Sequence, residues 1–344
     1  MLVASAARAV KMASARRARY KRRVILGSCL CGDVAWEIDG PLQLMSHCHC
    51  SRCRKAHGAP FATYVATPAD AFRLVRGRER IARWESSPGF FRAFCTRCGS
   101  VVPGDPFEAM MFVPAGCLDG DLGVRPAMHI FVAFKAPWVE LRDELPRFDA
   151  YPPGFDAPAL DQLPAPAPQG TKPRGSCLCG GVAFVVEGEP VRWWQCHCGR
   201  CRKARGAAYA SNLFTSAGGV RFLRGEELAV SYKVPDAKYF MQVFCRTCGS
   251  PIPRVDTSRD LAIVPAASLD DDPGTRPQAH IFVGSKAPWG RATRPATSAR
   301  SRRAVGTHRQ RGWTRLRGWG RRAACAAFAS PPSPSRVSSS RSRS

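Results

Sequence analysis

The chain has no acidic residue in its first 23 positions or in its last 54, although it contains 26 acids in all. These two ends carry 8 and 14 of the 52 basic side chains, so most of the net charge of +26 belongs to them. The body between them, residues 24–290, carries only +4. A strongly basic chain suggests a nucleic-acid partner. The nearly neutral body argues against that partner for the folded part and leaves it open for the basic ends.

Long apolar runs are also absent. No stretch of 18 apolar residues occurs, so we expect neither a membrane-spanning helix nor a membrane partner. Arg8 and Lys11 interrupt the N-terminus, which therefore lacks the apolar segment of a secretory signal. We expect a cytoplasmic protein. Two alternatives remain for the acid-free start: a mitochondrial transit peptide, or translation that begins at Met12 or later.

Four sequence blocks occur twice, at offsets of 148 to 151 residues. The pairs are GSCLCG, CHCxRCRKAxGA, FCxxCGSxxP and HIFVxxKAPW. A period of this length indicates a duplicated domain rather than a solenoid. We predict five segments: a basic disordered segment at 1–23, a first copy at 24–152, a Pro-rich linker at 153–173, a second copy at 174–290 and a disordered Arg/Ser-rich tail at 291–344.

Within each copy, short apolar segments such as VAWEI, FATYVA and AMMFVPA are bounded by Gly, Pro or Asp, which is typical of β-strands. The sequence predicts one short helix in the first copy, around SRCRKAHG and ending at Gly58. We therefore expect an all-β, antiparallel fold with inserted cysteine knuckles.

The 16 cysteines are the feature that points to chemistry. In a reducing compartment they indicate thiolate-bound metal, with disulfides as the alternative. Each copy repeats seven cysteines, but two tetrahedral zinc sites need eight ligands, so one site in each copy is short by one. A structural zinc has four protein ligands, whereas a catalytic zinc has three and an open position. We predict closed sites from the two CxC and CxxC pairs, and open sites from the compact CHCxxC. The closed sites are Cys29, Cys31, Cys95 and Cys98, and Cys177, Cys179, Cys245 and Cys248; the open sites are Cys48, Cys50 and Cys53, and Cys196, Cys198 and Cys201.

The ordered set CxCG, CHCxxCRKxxGA, FCxxCGS and HIFVxxKAPW resembles the glutathione-dependent formaldehyde-activating enzyme family, whose domain is shared with centromere protein V. The resemblance covers about residues 26–151 and 174–289. It implies a complex of several coiled antiparallel sheets and two zinc ions in each copy. It also implies that glutathione binds through its thiol at the three-cysteine zinc and adds to formaldehyde, giving S-hydroxymethylglutathione, a carbon–sulfur lyase chemistry.

A three-thiolate zinc suits this role on chemical grounds, because it is a soft anchor for another sulfur and stabilises the thiolate form. Two other classes remain open: a zinc-stabilised thiol- or protein-binding module without turnover, and a zinc-ribbon protein whose basic ends bind nucleic acid. A zinc deaminase is excluded because neither CHC block contains the HxE signature.

Several polar residues near the open sites have competing interpretations. His49 or His197 could provide a fourth ligand, although a residue between two ligating cysteines is expected to point away from the metal. His47 and His57 are replaced by Gln195 and Arg205, so neither is required in both copies. His129 and His280 are predicted to be structural imidazoles. The basic residues of the two short helices either face solvent or offset the thiolate charge: Arg52, Arg54, Lys55, Arg200, Arg202 and Lys203.

After the second KAPW motif the repeat stops at once. The first copy continues as VELRDELPRFDAYP, whereas the second is followed by an acid-free segment rich in Arg, Ala, Ser and Pro. A shifted reading frame is one explanation, and a natural basic tail that binds nucleic acid or an acidic surface is the other. In the first copy we expect LPRF to cover a sheet, which would leave the second copy the less stable.

Overall fold

The computed structural model describes residues 24–155, 162–163 and 171–290. The basic ends and most of the predicted linker lie outside these residues, so the predictions made for them are untested. No helix among the described residues is long and apolar enough to cross a membrane.

Strands make up most of the regular structure, with one two-turn helix in each copy. In the first copy the elements are β1 Ile25–Ser28, β2 Ala35–Ile38, β3 Met45–Cys48, α1 Ser51–His57, β4 Ala62–Pro68, β5 Phe72–Arg76, β6 Ile81–Ser87, β7 Phe90–Cys95, β8 Val101–Val102, β9 Met110–Pro114 and β10 Met128–Ile130. In the second copy they are β11 Arg174–Ser176, β12 Ala183–Val186, β13 Arg192–Cys196, α2 Gly199–Arg205, β14 Ala210–Thr215, β15 Val220–Arg224, β16 Ala229–Lys233, β17 Met241–Cys245, β18 Arg254–Asp256, β19 Leu261–Pro265 and β20 Ala279–Ile281.

Each copy folds into three small sheets. The first copy has the strand orders β1-β2-β5, β10-β3-β4-β9 and β6-β7-β8, and the second has β11-β12-β15, β18-β19-β14-β13-β20 and β16-β17. The all-β class predicted from the sequence is confirmed. The sheets are not wholly antiparallel, because β10 pairs parallel to β3 and β20 pairs parallel to β13. A parallel pair joins strands that are distant along the chain, so local sequence patterns did not indicate it.

The predicted helix in the first copy is present as α1. Its N-cap is Cys50, whose sulfur accepts a hydrogen bond from the Cys53 N–H at 3.3 Å. Gly58 ends it in the left-handed conformation, with φ of 56°, which favours glycine. A Cβ atom at Gly58 would also lie only 2.7 Å from the Pro251 side chain of the second copy. The first helix therefore ends against the other copy.

The two copies exchange their KAPW motifs. Ala136 and Trp138, from the end of the first copy, are buried in the core of the second, where Trp138 packs edge-on against Trp193 at 5.0 Å between ring centroids. Ala287 and Trp289, from the end of the second copy, are buried in the core of the first. Each core is thus completed by an indole from the other copy.

Side chains near the four-cysteine clusters are exchanged in the same way. Trp84, on the β6–β7 hairpin of the first copy, packs against a cluster that contains Cys177 and Cys245. Its counterpart Tyr232, in the second copy, packs against the core that contains Cys29 and Cys95. Phe94 and Phe244 also meet edge-on at 6.4 Å. The apolar contacts between the copies are therefore reciprocal.

Two lysines connect the copies through polar contacts. The Lys55 ammonium lies 2.5 Å from the Asp270 carboxylate and donates to the Ser176 hydroxyl at 2.7 Å. In the second copy, Lys203 pairs with Asp119 at 2.9 Å and donates to Ser28 at 2.7 Å. From the sequence we expected these lysines either to face solvent or to offset the thiolate charge. Instead, each lysine pairs with an acid of the other copy.

The segment after Trp138 reaches both copies. Val139 and Leu141 pack in the core of the second copy. Further along, the His129 N–H donates to the Pro146 carbonyl and the Phe148 N–H donates to the His129 carbonyl, at 2.8 and 2.9 Å. The LPRF residues thus border the first copy along the edge of β10.

Candidate metal centres

The fourteen repeated cysteines form four clusters. Within each cluster the sulfur atoms lie within 4.8 Å of one another. The four-cysteine clusters are Cys29, Cys31, Cys95 and Cys98, and Cys177, Cys179, Cys245 and Cys248; the three-cysteine clusters are Cys48, Cys50 and Cys53, and Cys196, Cys198 and Cys201. The division into fours and threes inferred from the sequence is therefore reproduced in space.

Each four-cysteine cluster combines a loop after the first strand with the knuckle after the long hairpin. In the first copy the Cys29 and Cys31 sulfurs are 3.3 Å apart, and the Cys31 and Cys95 sulfurs are 3.7 Å apart. These separations exceed the roughly 2.05 Å of a disulfide. Four thiolates at about 2.3 Å from one zinc would lie roughly 3.8 Å apart, so the donor set fits a tetrahedral zinc.

Backbone and hydroxyl groups support the four-cysteine clusters. The Val34 N–H donates to the Cys29 sulfur at 3.4 Å, and the Val182 N–H donates to the Cys177 sulfur at 3.2 Å. Ser100 accepts from the Leu30 N–H at 3.0 Å, and Ser250 accepts from the Leu178 N–H at 3.1 Å. The N–H bonds to the Cys29 and Cys177 sulfurs orient these ligands and favour their thiolate form.

The three-cysteine cluster of the first copy lies at the start of α1. Cys48 ends β3, Cys50 caps the helix and Cys53 is in its first turn, so one short segment brings three sulfurs together. The cluster is buried with Ala62 and Phe131, and Tyr64 and Tyr151 pack against it. Its donor set fits a zinc with three protein ligands.

A chain of polar side chains adjoins this cluster. His57 Nδ1 lies 2.7 Å from the Arg205 carbonyl, which can only accept, so Nδ1 carries the proton. His57 Nε2 is then the acceptor, and the Tyr64 hydroxyl donates to it at 2.9 Å. Arg92 donates to the Tyr64 oxygen at 3.3 Å and to the Ser86 hydroxyl at 3.3 Å.

Arg92 is the cation of this chain. Burial by itself would lower the pKa of its guanidinium, but the nearby Cys53 sulfur and Tyr64 hydroxyl, together with Cys50 and Cys48, raise that pKa well above its usual value. Burial lowers the pKa of His57 to about 4, so its imidazole is neutral at pH 7. Arg92 therefore places a fixed positive charge beside the cluster, which offsets part of the charge of three thiolates.

Comparison with known proteins bears on this arrangement. The model of a family described as glutathione-dependent formaldehyde-activating enzyme matches residues 24–134 and 172–285. These matches cover more than half of the chain and include all four clusters. The chain belongs to this family.

The comparisons with curated proteins and with solved structures add little to the family assignment. No curated protein matches the chain. A solved structure of a Rhodobacter sphaeroides protein is similar at 27% identity; it covers 30% of this chain and 97% of its own, with a TM-score of 0.23. The family assignment thus rests on the two matched regions, one in each copy.

The second family domain retains the three cysteines but not their neighbours. Arg205 stands in place of His57, Asn212 in place of Tyr64, and Gln242 in place of Arg92. Arg205 Nη2 lies 3.5 Å from Asn212 Oδ1. The chain of hydrogen bonds beside the first cluster therefore has no equivalent in the second.

The histidines predicted as alternative ligands are hydrogen-bonded to other histidines. His49 Nε2 lies 2.8 Å from His129 Nδ1, and His197 Nε2 lies 2.8 Å from His280 Nδ1. His129 Nε2 in turn lies 3.1 Å from Asp143. No histidine joins the cysteine clusters found among the described residues. This agrees with the expectation that His49 and His197 point away from the metal.

No sequence motif indicated Arg92 or Tyr64 as functional residues. Neither belongs to a cysteine motif, and both lie on β-strands of ordinary composition. The available signal was the alignment of the copies: FFRAFC corresponds to FMQVFC, and ATYVAT corresponds to ASNLFT. The substitutions in these blocks mark the positions where the two family domains differ near their three-cysteine clusters.

Proposed function

We propose that the first copy binds glutathione or a related thiol at a zinc held by Cys48, Cys50 and Cys53, and adds it to formaldehyde or another small aldehyde. The observation that carries this proposal is the buried three-cysteine cluster beside Arg92, in a chain of the formaldehyde-activating family. We further propose that each four-cysteine cluster holds a structural zinc and that Cys196, Cys198 and Cys201 hold another, giving about four zinc ions per chain.

Zinc bound by three thiolates supplies a soft, open coordination position at which an incoming thiol is stabilised as its thiolate. The protein contributes position and charge. Cys50 and Cys53 are fixed by the helix cap, and Tyr64 and Ser86 hold the guanidinium of Arg92 in place.

The reaction forms one carbon–sulfur bond. The thiol loses its proton to water on binding, the sulfur attacks the aldehyde carbon, and the electron pair of the carbonyl moves to its oxygen. That oxygen takes a proton from water, so the hydroxymethyl product contains the atoms of thiol and aldehyde. Arg92 has N–H groups beyond the two that Ser86 and Tyr64 accept, and we assign it the stabilisation of the negative charge that develops on oxygen.

The direct test measures exchange between free formaldehyde and its glutathione adduct by NMR, using the zinc-loaded full chain. The wild type should accelerate exchange, Cys50→Ser should abolish the acceleration, and the matched change Cys198→Ser in the second copy should preserve it. Arg92→Gln, which installs the residue of the second copy, should lower the acceleration tenfold or more while zinc content is unchanged.

Equal exchange with and without the wild-type protein would favour the alternative of a thiol-binding module without turnover. If Cys198→Ser abolished the acceleration and Cys50→Ser preserved it, the assignment to the first copy would be wrong.

A further inference from the structure

The three-cysteine cluster of the second copy opens onto a cavity of its own. The cavity measures about 170 Å³ and reaches the side chains of Cys196 and Cys201. Phe214, Phe240 and Ile281 are among the residues that give it mainly apolar walls. The cavity therefore joins a set of soft metal-binding donors to a small apolar chamber.

Polar groups in this cavity have unmet hydrogen bonds. Gln242 is only 3% exposed, and its Nε2 donor has no partner; Arg205 is 6% exposed, and its Nη1 donor has none. Both residues line the cavity. A buried donor without an acceptor carries the full cost of its desolvation, so a ligand that offers an acceptor there would be favoured.

The charge of the side chains that line the cavity indicates which kind of acceptor group a ligand would carry. Arg205 carries a guanidinium, which is positively charged at pH 7. Arg254, a second cation, also lines the cavity and is paired with Asp256 at 2.8 Å. An anionic carboxylate suits this surrounding better than a neutral carbonyl.

The cavity is partly open to solvent, and the volume of its inner part favours a small ligand. A dry cavity of about 150 Å³ holds benzene, which has about six non-hydrogen atoms. A short mercapto-acid such as 3-mercaptopropionate has about the same number of atoms, whereas a tripeptide is several times larger. The chamber thus matches a small thiol with an apolar body.

We propose that the second copy is a separate binding site for a short mercapto-acid. Its sulfur would bind a zinc held by Cys196, Cys198 and Cys201, and its carboxylate would accept a hydrogen bond from Gln242. The site rests on the proposed function in one respect, that a three-cysteine zinc in this chain takes a thiol. It differs in its ligand, because His57, Tyr64 and Arg92 of the first copy have no equivalents here.

The test is calorimetric titration of 3-mercaptopropionate into the zinc-loaded full chain that carries Cys50→Ser, so that only the second copy can bind through a three-cysteine zinc. Binding should persist in this background. Adding Gln242→Leu should weaken the binding of 3-mercaptopropionate about tenfold or more. Gln242→Glu should abolish this binding, because the new carboxylate repels that of the ligand.

Propanethiol, which has no carboxylate, is the control probe, and its affinity should be insensitive to Gln242→Leu. Zinc content and circular dichroism establish that each variant is folded.

Two results would overturn the proposal and leave the proposed function intact. One is a wild type that binds glutathione while the Cys50→Ser chain binds no short thiol. The other is equal affinity for 3-mercaptopropionate with Gln242 and with both replacements. A zinc-loaded wild type that binds no thiol of any kind would instead refute the proposed function, and this site with it.

Discussion

The ammonium of Lys55 lies 2.5 Å from the carboxylate of Asp270, and the two residues belong to different copies of the repeat. Both side chains are buried, at 7% and 9% exposure. In the equivalent pair, Lys203 belongs to the second copy and Asp119 to the first. Their side chains are more exposed, at 25% and 54%. The two contacts therefore have the same chemistry in different environments.

We predict that Asp270→Asn lowers the free energy of unfolding by about 3 kcal/mol, because it leaves the Lys55 charge buried without its partner. Asp119→Asn is the matched control and should cost less than about 1 kcal/mol, since its side chain is half exposed and screened by water. Urea denaturation of both variants at pH 7 measures the difference. Equal costs would show that burial does not distinguish the two pairs.

A second prediction concerns the exchanged KAPW motifs. A chain that stops after Gly290 should retain its zinc content and stability, because it keeps Ala287 and Trp289. A chain that stops after Lys286 should lose about 3–5 kcal/mol, the usual cost of removing a buried indole, and the loss should fall on the first copy. Hydrogen exchange of β1, β2 and β5 would locate it. Normal protection of these strands in the shorter chain would contradict the exchanged packing.

The four-cysteine clusters yield a third prediction. Metal analysis of the purified chain should find about four zinc ions, and Cys98→Ser should remove one of them and destabilise the fold, because a structural metal contributes folding free energy. Since Tyr232 and Trp289 of the second copy pack in the same core as Cys98, the damage should extend to both copies. One zinc or fewer per copy in the wild type would rule out the three-cysteine sites.

A fourth prediction concerns pH. Burial, followed by the charge of His129, lowers the pKa of His47 from its ordinary 6.5 to about 3. The unfolded chain therefore binds a proton at this residue that the folded chain does not. Its contribution to stability is complete above pH 6.5 and falls by about 1.4 kcal/mol for each pH unit below that, until about pH 3.

His47→Gln should remove this dependence, because glutamine does not titrate and Gln195 already occupies the equivalent position in the second copy. Urea midpoints at pH 7.5 and pH 5 for both proteins measure the effect, and the variant should lose less stability on acidification. An unchanged difference between the two pH values would mean that His47 is protonated in the folded chain.

The sequence predicted the metal-binding pattern better than the architecture. The spacing of the CxC, CHCxxC and CxxC blocks carries its own geometry, since three sulfurs within six positions must lie close together. Counting seven cysteines in each copy was therefore enough to separate Cys48, Cys50 and Cys53 from the remaining four. Capping by Gly58 was equally local and equally predictable.

The exchange of side chains between the copies could not be predicted from the sequence, for a physical reason. Trp138 and Trp289 occupy the same position in the repeat and share the KAPW motif, so the motif does not indicate which core receives each indole. Lys55 and Asp270 are 215 positions apart, and their pairing depends on how the copies pack. The role of Arg92 was not predictable for a related reason, because it depends on a contact between β7 and Tyr64 of β4, which belongs to a different sheet.

The exchanged indoles also bear on the history of the duplication. Deleting the second repeat would take Trp289 away from the core of the first, and deleting the first would take Trp138 away from the second. Either half alone would need another source for the indole that its core receives from the other repeat. The second repeat thus contributes to the core of the first whatever the chemistry of its own three-cysteine cluster.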